Sequence, residues 1–237
     1  MLSLAQPVRR MKRVLDILRG QDLRQRRQLH RDSVCLGSAR TTWCVCPDGL
    51  GPSSIVYSIG VGEDISFDLE LIRRFGVCVH AFDPTPRSIE WLAKQSLPGN
   101  FLLHPYGVAD FDGHAKFRPP ANPAHVSHTL VERHTPWPAI EVPVHRLSSI
   151  MKELGHERID LLKMDIEGAE YPVLKDMLAS AIPVHQLLAE FHHRWPEIGV
   201  EKTRQAIRDL NSAGYRIFDV SPSGEEYSFL KVPLAVE

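Results

Sequence analysis

The 237-residue sequence has no run of 18 consecutive apolar residues, so no membrane-spanning helix is expected. The apolar central stretch of a secretory peptide is also missing, because Arg9, Arg10, Lys12 and Arg13 interrupt the N-terminal segment. Cysteine is sparse. Cys35, Cys44, Cys46 and Cys78 are too few for a disulfide framework in a chain of this size, and a reducing, cytoplasmic location is the default expectation. Cys44-Val45-Cys46 offers half a metal site, but no second close pair completes it, and Cys78 falls within an apolar run as a small core residue. There is no internal repeat and no low-complexity run.

What remains is the composition of an ordinary globular domain, 43% apolar and 24% charged. The net charge of −1 conceals an asymmetry. Residues 1–31 carry nine of the 28 basic residues and only Asp16 and Asp22 of the 29 acidic ones, leaving 19 basic against 27 acidic for the rest. Residues 8–29 read as a basic amphipathic helix with Val8, Met11, Leu15 and Leu18 on one face. Two readings follow: a lid packed on the domain, which is favoured, or a peripheral contact with a membrane, a nucleic acid or an acidic partner. Residues 1–53 are thus expected to be a helical extension and loop, and residues 54–237 a single catalytic domain.

Within that domain, apolar strand patterns alternate with helical ones. Strands are expected at 55–59, 77–82, 101–104, 159–164, 186–191, 215–220 and 227–232, with helices around 66–75, 86–95, 147–154, 169–179 and 200–212. This alternation predicts an α/β fold: a Rossmann-like, mostly parallel seven-stranded sheet with helices on both faces and one antiparallel strand at an edge. Residues 111–118 read as a hairpin turning at Asp112-Gly113. Six prolines in 119–143 mark a long irregular insertion. Its His125, His128 and His134 are read as exposed loop residues.

In an open α/β sheet the ligand lies beyond the carboxyl ends of the strands. Those ends nominate Gly60, Gly62 and Glu63 after the first core strand, Asp83 after the second and Tyr106 to Asp110 after the third. Asp165 and Glu167 follow the fourth, and Glu190, His192 and His193 the fifth. Gly60-x-Gly62 without a third glycine counts against a pyrophosphate and so against a dinucleotide enzyme. With Asp83 placed to accept ribose hydroxyls, it fits a phosphate-free adenosyl cofactor, S-adenosylmethionine. Asp165 meets the rim of a buried sheet, where an unpaired carboxylate costs several kcal/mol. It is therefore either functional or the cap of the following helix.

Three stretches carry a family resemblance: Val56-Tyr57-Ser58-Ile59-Gly60-Val61-Gly62, Ala81-Phe82-Asp83-Pro84-Thr85-Pro86, and Leu162 to Leu174 with its Lys163-Met164-Asp165-Ile166-Glu167-Gly168-Ala169-Glu170 core. Together they resemble the successive motifs of the FkbM-type methyltransferases across residues 54–232. The resemblance implies a class I fold, S-adenosylmethionine as methyl donor, and O-methylation of a sugar or another small-molecule hydroxyl. It places Gly60 and Gly62 beside the methionine portion, Asp83 on the ribose, and Asp165 and Glu167 at the reaction centre. Ser58, Gly62 and Asp83 depart from the family's usual Asp, Asn and Glu, and at Ser58 a charge that meets the cofactor's amino group is lost.

Methyl transfer from a sulfonium asks chiefly for alignment of the acceptor oxygen and removal of its proton. Asp165, Glu190 and His192 are the expected catalytic residues. His192 or His193 serves as base, or a divalent metal held by Asp165, Glu190 and His192 lowers the hydroxyl's pKa. Tyr171, Trp195 and Trp137 are candidates to stack an acceptor. No nucleic-acid partner is expected, since the basic residues are confined to one end. The competing class is a catalytically silent binding module that acts through the basic extension.

Overall fold

The computed structural model describes residues 13–39, 41–119, 129–131 and 138–233. Val8, Met11, Trp137, His125, His128 and His134, named above, lie outside these. Two short strands, β1 (Val34–Leu36) and β2 (Trp43–Val45), pair antiparallel before the main sheet begins. The chain then runs β3 (Ile55–Ile59), α1 (Ser66–Phe75), β4 (Cys78–Phe82), α2 (Pro86–Leu92), β5 (Phe101–His104), β6 (Gly107–Val108), β7 (Gly113–Phe117) and β8 (Ile140–His145). It continues as α3 (Leu147–Leu154), β9 (Ile159–Met164), α4 (Glu170–Ala179), β10 (Val184–Glu190), α5 (Gly199–Ser212), β11 (Tyr215–Val220) and β12 (Glu226–Lys231).

Seven strands form one sheet in the order β11-β12-β10-β9-β3-β4-β5, with β10, β9, β3, β4 and β5 parallel. The sequence explains why these strands lie centrally. They are near-continuous apolar runs, and alternate residues enter two separate cores, as strands buried on both faces require. Tyr57, Ile59, Leu162, Met164, Leu187 and Ala189 pack on one face beneath Ile150, Leu174, Met177 and Ile207 of α3, α4 and α5. Val56, Val79, Ala81, Leu161 and Leu188 pack on the other with Phe67 and Leu71 of α1 and with Leu36 and Trp43 of the first hairpin.

Two expectations need correction. The late antiparallel strand is not at the edge: β12 inserts between β10 and β11 and pairs with both, leaving β11 outermost. Its run Tyr227-Ser228-Phe229-Leu230 is buried on both faces, which an edge position would not allow. Residues 111–118 do not form a hairpin. β7 pairs antiparallel with β8, which pairs parallel with β6 on its other side. Asp112 is drawn into another role, accepting hydrogen bonds from the Arg146 N–H and the Ser149 hydroxyl, while Ala115 and Phe117 pack on Val142 and Val144.

Among the described residues of the N-terminal segment only 13–18 are helical, with Val14, Leu15 and Leu18 exposed, so the expected apolar stripe is not buried there. Beyond it the chain is tied down firmly. Asp22, buried, accepts from Arg194 at 2.8 Å and meets His193 at 3.0 Å, Arg27 pairs with Asp219, and Gln28 and Leu29 donate backbone N–H groups to Ile217. Cysteine use also differs from expectation. Antiparallel pairing sets Cys35 opposite Cys44, and the two form a disulfide, which removes Cys44 from any metal site. No described helix is long and apolar enough to cross a membrane.

Candidate active site

A cavity of about 220 Å³ opens at the carboxyl ends of β3, β4 and β9, where the helices that follow diverge from the sheet. Trp43, Phe67, Phe82, Val108 and Phe117 give it apolar walls, and Asp68, Asp83, Lys163 and Asp165 supply its charges. Gly60 sits where two rim loops meet. Its φ is +74°, and a Cβ there would stand 1.8 Å from the Asp165 carbonyl oxygen. Glycine is therefore required by loop-on-loop packing.

Asp83 organises the second strand end. Its Oδ2 accepts the Gly62 N–H at 2.9 Å, and its Oδ1 accepts the Thr85 N–H at 2.9 Å and the Thr85 hydroxyl at 2.6 Å. The acid thus clamps the glycine turn to the neighbouring strand while still lining the cavity. The first hairpin closes the opposite side. Ser38 and Thr41 donate to Asp64 Oδ2 at 2.8 and 2.9 Å, bringing Thr41 and Trp43 to the wall. Although burial pushes the Asp64 carboxyl upward, donors from Ser66, Ser38 and Thr41 hold it below its usual value.

The rim after β9 carries the densest charge. Asp165 lies deep in the fold but keeps 27% of its side chain exposed, because it faces the cavity. Glu167 adopts a positive φ of 53°, a strained conformation for a non-glycine residue, and its carbonyl accepts the Thr129 hydroxyl. Glu170, fully buried, accepts the N–H groups of Ile166 and Gly168 at 2.9 Å each, so one carboxylate shapes the whole turn. His192 is inserted among these acids: Nε2 lies 3.3 Å from Glu167 and 3.9 Å from Asp165, and Nδ1 lies 3.2 Å from Glu170, close but misaligned for a hydrogen bond. Trp195 packs on its ring at 4.6 Å.

The electrostatics follow from this crowding. Burial opposes a charged imidazole, but Glu170 and Glu167 outweigh it and push His192 up to about 12. Burial, then the Asp165 charge, raises Glu190 to about 9. Burial also raises Asp165, with Lys163 pulling the other way. One ligand-capable atom each from Asp165, Glu190 and His192 lies within 4.8 Å of the others.

The structure brings together Gly60, Gly62, Glu63, Asp83, Asp165 and Glu167 around the cavity, with Glu190 and His192 beside Asp165. Glu63 turns its carboxylate to Arg87 at 2.8 Å. Two nominated residues fall elsewhere. Asp110 is exposed and outside the lining, because β6 ends before it, and Ser58 is wholly buried beneath the floor. His193 points away from the rim to Asp22; burial pulls its pKa down despite that partner. Tyr171 bonds Thr203 at 2.8 Å and packs on Phe191. Sequence reasoning missed Trp43, Thr41, Lys163, Asp68 and the turn-shaping role of Glu170. For Asp68 a signal existed: with Leu71, Ile72 and Phe75 it lies on the buried stripe of α1 at spacings of three, four and seven.

A sheet with this strand order, and a cavity at the ends of its first two core strands, defines a class I methyltransferase fold. Residues 55–217 match the FkbM methyltransferase domain, well over half the chain, and the protein belongs to that family. S-adenosylmethionine is the cofactor of this family, and the cavity's apolar walls and Asp83 suit its adenosyl group. The chain is 27% identical over 211 residues to human "Probable methyltransferase-like protein 24" and 29% over 202 residues to the Rattus norvegicus protein of that name. Those matches cover 80% and 77% of this chain, which spans about half the length of the curated relatives it matches. Among solved structures, Aeropyrum pernix fibrillarin with bound S-adenosyl-L-methionine aligns with a TM-score of 0.41 at 11% identity, over 76% of this chain and 66% of that one. A single-residue variant of the 16S rRNA (adenine(1408)-N(1))-methyltransferase from Catenulisporales acidiphilia aligns at 0.37 and 13%, over 85% and 98%.

Proposed function

We propose that this protein transfers a methyl group from S-adenosylmethionine to a hydroxyl oxygen of a small-molecule or glycan acceptor. The observation that carries the reading is the placement of Asp165, which lines the cavity on one side and meets Glu190 and His192 on the other. An acceptor entering over this rim would meet a carboxylate able to take its proton as the carbon–oxygen bond forms. Glu170 and the strained Glu167 turn would fix that carboxylate in place, and the apolar walls would exclude water from the sulfonium.

Asp165, Glu190 and His192 would also suit a divalent cation if its binding displaced the protons that the crowded acids hold on His192 and Glu190, since two oxygens and an imidazole nitrogen converge there. Such an ion would lower the acceptor hydroxyl's pKa. The basic extension is less suited to a surface-binding role, because Arg13 and Arg27 are engaged within the fold. Residues 54–237 are read as the catalytic domain, with the first hairpin as its cover.

Methyl-labelled cofactor incubated with pooled glycan and small-molecule acceptors tests the assignment. We expect label in a base-stable methyl ether; label confined to amines, carboxyl esters or RNA would overturn it.

A further inference from the structure

Asp68 stands out because its carboxylate is buried with little in the fold to offset its charge. It is 2% exposed, its Oδ1 has no hydrogen-bond partner, and the side chain lines the cavity from the first turn of α1. A carboxylate in that position favours a helix N-terminus by less than about 1 kcal/mol on an exposed surface. Burying it unpaired costs several kcal/mol. The imbalance is characteristic of a group whose partner arrives with a ligand.

The surroundings say what that partner is. The nearby cation, Lys163, spends its ammonium on backbone carbonyls, 2.7 Å from Gly60 O and 3.4 Å from Ile59 O, and over the Trp43 ring. Burial drives the Asp68 carboxyl up to about 6, while the Lys163 charge and the Ser58 hydroxyl beside it pull it down. The Gly60 carbonyl is already taken by Lys163, so on this wall Asp68 Oδ1 is left as an acceptor for a cation. Asp83, which holds Gly62, marks the ribose side of the same cavity.

We propose that Asp68 is the anchor for the α-ammonium of the cofactor's methionine portion, a charge that the first core strand, with serine at position 58, does not supply. The inference rests on the adenosyl cofactor lying in this cavity. It accounts for a carboxylate on an otherwise apolar helix face, and for an Oδ1 left without a hydrogen bond.

Titration calorimetry with S-adenosylhomocysteine and its deamino analogue, which lacks only the ammonium, tests the assignment. The parent should bind the complete ligand at least tenfold more tightly than the analogue. Asp68→Asn should lose that difference, binding both at the parent's level for the analogue. Its unliganded melting temperature should stay the same or rise, since a buried unpaired charge has gone. Equal affinity of the parent for both ligands would overturn the proposal, as would an Asp68→Asn variant that keeps the full preference. If Asp68→Asn does not fold, Asp68→Ser carries the same comparison with the same outcomes. If the parent binds neither ligand, it is the cofactor site itself that fails.

Discussion

Gly60 and Asp165 meet backbone to backbone at the base of the cavity, with the Asp165 carbonyl where a side chain on Gly60 would have to stand. The contact joins the Gly60–Gly62 turn to the rim that carries Asp165, so the geometry of one is transmitted to the other. Gly60→Ala should therefore disturb both. The left-handed conformation alone costs roughly 1–2 kcal/mol for alanine, and the clash adds to it. Chemical denaturation should show at least that loss, and calorimetry a matching fall in affinity for S-adenosylhomocysteine. A variant of parental stability would show that the two loops separate freely.

Glu170→Gln tests the buried carboxylate that shapes the rim. Glutamine offers one acceptor oxygen where glutamate receives both the Ile166 and Gly168 N–H groups, so one donor is left unpaired at a cost of about 1–3 kcal/mol. Turnover should fall with stability, because the same turn carries Asp165 and Glu167. Unchanged urea midpoints would contradict this assignment.

The strand ends were legible because apolar runs stopping at Gly60, Asp83 and Asp165 follow from the two-residue period of buried strands. Residue-level roles were less so. Gly60 reads from sequence as a ligand-approach glycine, yet the tight contact is with another loop, a relation between positions over a hundred residues apart. Glu170 reads as a helix-dipole residue and proves to be the turn's central acceptor. Asp110 follows a strand in sequence, but β6 belongs to the small sheet, so Asp110 stays outside the cavity. Trp43 and Thr41 come from a hairpin whose packing depends on the disulfide and on Asp64, neither of which leaves a local pattern.

That disulfide should matter. Closing a loop of this size is worth about 2–3 kcal/mol, and the hairpin it locks presents Thr41 and Trp43 to the cavity. Reductant, or Cys35→Ser with Cys44→Ser, should lower the melting temperature and weaken cofactor binding, and the double variant should be insensitive to reductant. A melting curve indifferent to reductant would show that the bond does not contribute. A disulfide of this kind persists most readily in an oxidising compartment.

Stability should fall on mild acidification through a histidine cluster that lies behind the Phe82 wall of the cavity. His80 lies 3.0 Å from His104 and packs edge-on against His156, whose ring bonds Tyr57. Burial, followed by repulsion from His156 and His104, depresses His80 to about 4, and burial lowers the other two as well. A base depressed in the folded state binds its proton more tightly when unfolded. Its contribution is complete above the unfolded value near pH 6.5 and is lost as pH falls towards 4. At pH 5 His80 alone should cost about 2 kcal/mol. His80→Gln should flatten the profile between pH 6.5 and 5, and an unchanged slope would assign the loss to other groups.

The most direct measurement is turnover and cofactor affinity of Asp165→Asn on the same preparation. Asparagine keeps the shape of the side chain and removes its charge. If Asp165 receives the acceptor's proton, or helps hold a cation that activates the hydroxyl, the variant should fold, bind S-adenosylhomocysteine near parental affinity and lose about a hundredfold or more in turnover. Treating the parent with chelator then divides the two: activity lost and restored by magnesium supports the cation, and indifference supports the carboxylate acting alone. An Asp165→Asn variant with full turnover would contradict the account.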